Sequence, residues 1–193
     1  MGAMAIWENP SRPPHSRRWP STALASRAAC GSDMAEILET RTSHLLWPTE
    51  AATQSAAQRM AATPALRNAL ITFEGGLGAG KTSFIRHLLR ALGEQGRIKS
   101  PSYAVLESYE LPQGDVHHFD FYRFSDPREW EDAGFRELLA GPGLKLCEWP
   151  SHAAALLPQA DLRLTLETQA DESRRVTLEA LTPTGHTLAQ ALA

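Results

Sequence analysis

Ala69-Leu70-Ile71-Thr72-Phe73-Glu74, Gly75-Gly76-Leu77-Gly78-Ala79-Gly80-Lys81-Thr82 and Ser83-Phe84-Ile85-Arg86-His87-Leu88-Leu89-Arg90-Ala91-Leu92-Gly93 form the continuous stretch that decides the fold. The opening apolar run is short and stops at a glycine, which reads as a buried strand. The closing run carries Phe84, Ile85, Leu88, Leu89 and Leu92 on one face and Arg86 and Arg90 elsewhere, so it reads as an amphipathic helix that ends at Gly93. Between them, Gly75-x4-Gly80-Lys81-Thr82 matches the Walker A pattern in full. Its physics is restrictive. Successive backbone N–H groups must turn inward around a β-phosphate, which needs Gly75, Gly76, Gly78, Ala79 and Gly80 where larger side chains would block the approach, and the helix aims its positive end at the same anion. Lys81 then neutralises β- and γ-oxygens, and the Thr82 hydroxyl is placed for Mg²⁺, with Ser83 following it.

Strands and helices alternate on either side of this unit. Residues 42–47 read as a short strand and 49–62 as a helix opened by Thr49-Glu50 and closed before Pro64. Residues 116–122 read as a strand, Asp126-Pro127-Arg128-Glu129 as a helix start with proline in its first turn, and 144–147 as a buried strand. Residues 162–166 and 175–181 suit a closing hairpin or sheet extension. The expected fold is a single α/β P-loop NTPase domain over residues 41–193, with a mainly parallel sheet, an antiparallel extension and flanking helices. Residues 1–40 read as a disordered N-terminal extension, because the first 33 are rich in Pro, Ser, Ala and Arg and have Glu8 as their only acid before Asp33. The same composition suits a transit peptide, with Met34 as an alternative start.

The 193 residues suit one domain with a real core. A net charge of −3 and a pI near 6.2 argue against broad binding to a nucleic-acid backbone, so no stable DNA binding is expected. Two cysteines, Cys30 and Cys147, are too few for a disulfide framework and suit a reducing compartment, with cytoplasm the natural reading. No apolar run approaches the roughly 20 residues of a membrane helix, so no membrane association is expected. Guanine specificity would need an Asn-Lys-x-Asp element, yet the only asparagines are Asn9 and Asn68, and none of Lys81, Lys99 and Lys145 has an Asp two residues later. ATP follows by elimination.

A phosphate loop needs a second metal ligand, an acid at the end of a neighbouring buried strand. Glu148 occupies that position before Trp149-Pro150; otherwise it is a strand-end glutamate facing water. In Val116-His117-His118-Phe119-Asp120-Phe121-Tyr122-Arg123, alternation puts Phe119 and Phe121 on one face and Asp120 on the other. Asp120 either orients or deprotonates an attacking water, or pairs with Arg123, or caps a turn. Adjacent His117 and His118 point to opposite faces, which argues against zinc. In Lys99-Ser100-Pro101-Ser102-Tyr103, Ser102 either reaches the nucleotide or belongs to a plain Ser-Pro turn. Trp149 is either core or a surface for nucleotide or partner.

Taken in order, the phosphate loop through Ser83, Lys99-Ser100-Pro101-Ser102-Tyr103, His118-Phe119-Asp120-Phe121-Tyr122-Arg123, Asp126-Pro127 and Glu148-Trp149-Pro150 make the chain from about residue 45 onward resemble the bacterial TsaE (YjeE) family, P-loop ATPases of tRNA threonylcarbamoyladenosine biosynthesis. The resemblance implies a domain that binds ATP and Mg²⁺, works with the partner proteins TsaB and TsaD, and meets tRNA indirectly through that complex. It implies Thr82 and Glu148 as Mg²⁺ ligands, Asp120 and Lys81 in hydrolysis, Trp149 near the nucleotide, Arg174 or Arg175 approaching it from a late hairpin, and Thr53 near the base. The chain departs from the family at Ser102, Ser83 and Ser151, and at Ala104, which lacks a hydroxyl the family usually carries. Three functions compete: a slow ATPase switch within a complex, a small-molecule kinase, and a binding module without turnover. The segment 123–136 is too short and too acidic for a kinase lid.

Overall fold

The computed structural model describes residues 40–124 and 134–193. The expected N-terminal extension and the helix start at Asp126-Pro127 lie outside the described residues, apart from residue 40. A seven-stranded sheet has the order β1-β7-β6-β2-β5-β4-β3, with β1 at Arg41–Trp47, β2 at Leu70–Glu74, β3 at Leu106–Leu111, β4 at Gly114–Asp120, β5 at Leu144–Glu148, β6 at Leu162–Thr168 and β7 at Arg174–Ala180. Its centre, β6-β2-β5-β4, is parallel, while β7 and β1 continue one side and β3 the other in antiparallel fashion. The antiparallel extension thus lies on both flanks rather than after the last parallel strand alone. The strand expected at 116–122 runs over Gly114–Asp120.

Each sheet face has its own core. On one, α1 (Glu50–Ala61) and α2 (Lys81–Leu92) pack on the sheet with α4 (Pro183–Leu192), and Phe84, Leu88, Leu89, Ala56, Met60 and Leu188 meet Ile71, Phe73, Leu146, Leu164 and Val176. On the other, Phe119, Phe121, Phe124 and Cys147 pack with Phe135 and Leu139 of α3 (Phe135–Ala140) and with Ala153 and Ala160. Strand alternation assigns the residues: Phe119 and Phe121 face α3, so His118 and Asp120 fall on the α2 side together with Leu146 and Glu148.

Helix α1 is capped by Thr49, whose side chain accepts from the Ala52 N–H at 3.3 Å. Helix α2 closes at Gly93, left-handed at φ 110°, whose N–H reaches the Leu89 and Arg90 carbonyls. Among the described residues, β3, α3, α4 and the 3-10 turns at Pro64–Asn68 and Pro150–Ala153 are not predicted by the sequence pattern. Among the described residues no helix is long and apolar enough to cross a membrane.

Phe84 ties the phosphate-loop helix to the sheet. Its ring stacks on Trp47 at 5.2 Å between centroids and meets Phe73 at 5.8 Å. Phe84→Ala is expected to cost about 3–5 kcal/mol in urea-induced unfolding; a loss below about 1 kcal/mol would contradict this packing.

Candidate functional site

The parallel strands β2, β5 and β4 end at the same edge of the sheet, so the segments leaving them converge there. Gly75, Gly78 and Gly80 of the loop after β2 have φ of 130°, 78° and 105°. At Gly75 even a β-carbon is excluded, since it would lie 2.3 Å from the Leu166 carbonyl oxygen. Gly80 starts α2 with no side chain capping the helix, which leaves its N–H groups for an anion. The buried Lys81 ammonium donates to the carbonyls of Gly75 at 2.7 Å and Gly76 at 2.9 Å, and lies 3.8 Å from the centre of the Trp149 ring. Burial pulls the Lys81 pKa below the usual lysine range, opposed by the negative charges of Glu148, Asp120 and Glu74.

The acid at the end of β5 meets the helix. The Thr82 hydroxyl lies 2.8 and 2.9 Å from the two oxygens of Glu148, a carboxylate only 2 % exposed. Glu148 therefore points inward to the phosphate loop, and the water-facing alternative is excluded. In the β4–β5 register Asp120 stands beside Glu148. Asp120 caps its own turn, accepting from the Tyr122 N–H at 3.0 Å, and its other oxygen accepts the Ser100 hydroxyl. Arg123 does not pair with it: the guanidinium stacks 4.3 Å from the Tyr103 ring centre. A cleft of about 500 Å³ joins Gly78 to Ser83 with Ser100, Ser102, Asp120, Glu148 and Trp149. Ser102 lines this cleft, but the hydroxyl that engages Asp120 is Ser100.

Trp149 both packs against the second core and lines this cleft. Left-handed at φ 57°, it turns its half-buried ring toward Lys81, with Tyr122 5.0 Å away between centroids. A second cleft, of about 520 Å³, shares Gly78, Gly80 and Ser83 with the first and brings in Thr53, Thr49, Glu50, Trp47 and Arg174. Arg174 is the hairpin arginine at the site: its Nε would lie 3.4 Å from a β-carbon on Gly80, whereas Arg175 is exposed and 3.8 Å from Glu167.

Thr82 and Glu148 offer hard oxygen donors beside the phosphate loop, which suits Mg²⁺, an ion that takes one or two carboxylates and completes its shell with phosphate oxygens and waters. Among the described residues no group of three His, Cys, Asp or Glu side chains forms a metal cage. Sequence reasoning missed two residues that the structure adds. Ser100 holds Asp120, and His118, fully buried, has its Nε2 2.9 Å from Glu148 Oε1. The alternation of β4 puts His118 on the same face as Asp120, but a histidine tandem in sequence signals a metal site rather than a partner for an acid. His117, on the opposite face, meets the Ser108 hydroxyl at 2.9 Å.

Comparison with known proteins gives a consistent picture. Residues 47–176 match the family model described as threonylcarbamoyl adenosine biosynthesis protein TsaE. The chain is 35 % identical over 122 residues to the tRNA threonylcarbamoyladenosine biosynthesis protein TsaE of Haemophilus influenzae, covering 63 % of this chain and 77 % of the relative. The protein of the same name from Rickettsia bellii is 34 % identical over 126 residues, 65 % of this chain and 86 % of the relative. The crystal structure of Bacillus subtilis YdiB superposes with a TM-score of 0.65 at 24 % identity, covering 79 % of this chain and 95 % of that one, a likeness of fold.

The loop glycines divide by their surroundings. Gly75→Ala is expected to destabilise the protein by more than about 2 kcal/mol in denaturant unfolding, since both φ and the Leu166 carbonyl oppose a side chain. Gly76→Ala, which meets nothing within 4 Å, is expected to stay within about 0.5 kcal/mol of wild type. Equal losses would contradict the loop geometry.

Proposed function

The chain belongs to the TsaE family, and on that premise we propose that it binds ATP with Mg²⁺, hydrolyses it slowly, and serves threonylcarbamoyladenosine modification of tRNA as a nucleotide-driven switch on a complex of TsaB and TsaD. The observation that carries the nucleotide reading is the Thr82 hydroxyl in contact with both oxygens of Glu148, inside a complete phosphate loop. The family membership carries the link to tRNA modification.

In this reading the loop amides from Gly75 to Gly80 and the start of α2 hold the β-phosphate, and Lys81 shifts from backbone carbonyls to phosphate oxygens. Thr82 and Glu148 would hold Mg²⁺, which would neutralise phosphate charge and so lower the repulsion met by an attacking oxygen. Arg174, Thr53 and the second cleft face the nucleoside side of the same loop. Asp120, held by Ser100 and the Tyr122 N–H, orients the attacking water and takes its proton. A single short chain offers few groups to stabilise a transferring phosphoryl, which is why turnover is slow alone and rises with partners. The cytoplasm is where such a complex would act.

Calorimetry with Mg-ATP is expected to show saturable heat, and Glu148→Ala to lose the gain in affinity that Mg²⁺ confers. Asp120→Ala is expected to keep ATP binding while hydrolysis falls by about 10²-fold or more; unchanged turnover would remove Asp120 from the mechanism. Adding TsaB and TsaD is expected to raise the rate. Labelled phosphate appearing on a small-molecule acceptor instead of in solution would overturn the switch reading in favour of a kinase.

A further inference from the structure

Glu148 is buried and its two oxygens are not equivalent. Oε1 lies 2.9 Å from His118 Nε2 and 2.8 Å from the Thr82 hydroxyl, whereas Oε2 meets the Thr82 hydroxyl alone at 2.9 Å. A carboxylate only accepts, so the imidazole must carry its proton on Nε2 and donate it to Oε1. The other ring nitrogen is the informative one. His118 Nδ1 is buried and has no hydrogen-bond partner among the described residues. An unpaired buried polar atom is costly, so the contact of Nε2 with Glu148 is the polar contact that offsets burial of the ring. Here the ring is aligned by one end only, the end that meets Glu148.

We propose that His118 is the positioning residue of the Glu148 carboxylate: its Nε2–H pins Oε1, so that Oε2 and the Thr82 hydroxyl are the pair of oxygens left to face the metal. The sequence gives the placement a simple origin. His118 and Glu148 project from adjacent parallel strands on the α2 side, with His118 opposite Leu146 in register, two residues before Glu148. The ring and the Thr82 hydroxyl thus both reach Oε1, and the two contacts together restrict the rotation of the glutamate. Outer partners of this kind commonly set metal affinity by 10–100-fold. The inference rests on Glu148 as a Mg²⁺ ligand, and the test separates the two claims.

ATP affinity is measured in EDTA and across a Mg²⁺ titration for wild type, His118→Leu, His118→Gln and Glu148→Ala, with thermal unfolding to establish that each is folded. His118→Leu is expected to keep the EDTA affinity while the Mg²⁺ midpoint rises by about 10–100-fold. His118→Gln, which returns an N–H near the same place, is expected to recover most of it. A folded His118→Leu with the wild-type midpoint overturns the proposal while leaving Glu148 as ligand, provided Glu148→Ala loses the Mg²⁺ effect. A Glu148→Ala protein that keeps the full Mg²⁺ effect overturns both claims. Should His118→Leu not fold, long-range ¹H–¹⁵N spectra of ¹⁵N-histidine wild type decide: an Nε2–H tautomer for His118, perturbed when Mg²⁺ is added to the ATP-bound protein, supports the proposal. An Nδ1–H tautomer, or a resonance indifferent to Mg²⁺, overturns it.

Discussion

The hydrogen bond between the Thr82 hydroxyl and the Glu148 carboxylate joins the first turn of α2 to the end of β5, and the site is arranged around it. A carboxylate this buried is tolerated only if its charge is met, and three groups meet it: the Thr82 hydroxyl, the His118 ring and, at longer range, the Lys81 ammonium. Each belongs to a different requirement of the fold. Thr82 and Lys81 are where they are because Gly80 opens the helix, and His118 because β4 lies beside β5. The parallel centre of the sheet does the rest, since only strands running the same way bring the ends of β2, β4 and β5 to one edge.

Part of the left-handed backbone lies near the same edge, while Gly93, Gly114, Gly134 and Gly143 are left-handed at other turns. Gly75, Gly78 and Gly80 hold positive φ in the loop, and Trp149 does so at φ 57° immediately after Glu148. Val105, at φ 64°, ends the loop that contains Ser100 and donates its N–H to the Pro101 carbonyl at 2.6 Å. Non-glycine residues in this region cost energy that the surrounding structure must offset, and such positions concentrate where a ligand dictates the geometry. Around Trp149 the offset is visible: its N–H binds the Phe73 carbonyl at 3.2 Å, and its ring lies against Lys81, Tyr122 and His152.

Much of this was legible in the residues themselves. The strand, glycine loop and helix from Ala69 to Gly93 announce themselves by period and punctuation, and the alternation around Phe119 and Phe121 puts Asp120 on the opposite face, which the fold covers with α2. What period cannot tell is which strands are neighbours. The contact of His118 with Glu148 depends on β4 pairing with β5, a relation across 30 residues with no local signature. The choice of Ser100 over Ser102 is likewise a matter of loop path, as the two hydroxyls look alike in sequence. Strand β3 hid because Tyr109 is its only buried residue, so it lacks alternation, although Pro112-Gln113-Gly114 marked a turn. Helix α4 offered Thr182-Pro183 as a start, with Thr182 accepting from the Gly185 N–H at 3.1 Å, but buries little beyond Leu188 and Leu192.

The central claim is that one cradle, built from the loop amides, Lys81, Thr82 and Glu148, holds a magnesium-bound triphosphate. A crystal structure with Mg²⁺ and a non-hydrolysable ATP analogue tests it most directly. The account predicts the β-phosphate inside the loop of residues 75–80 and the metal in contact with the Thr82 hydroxyl, with Glu148 reaching it directly or through one water. A triphosphate bound elsewhere, or a metal that Glu148 does not approach, would contradict it.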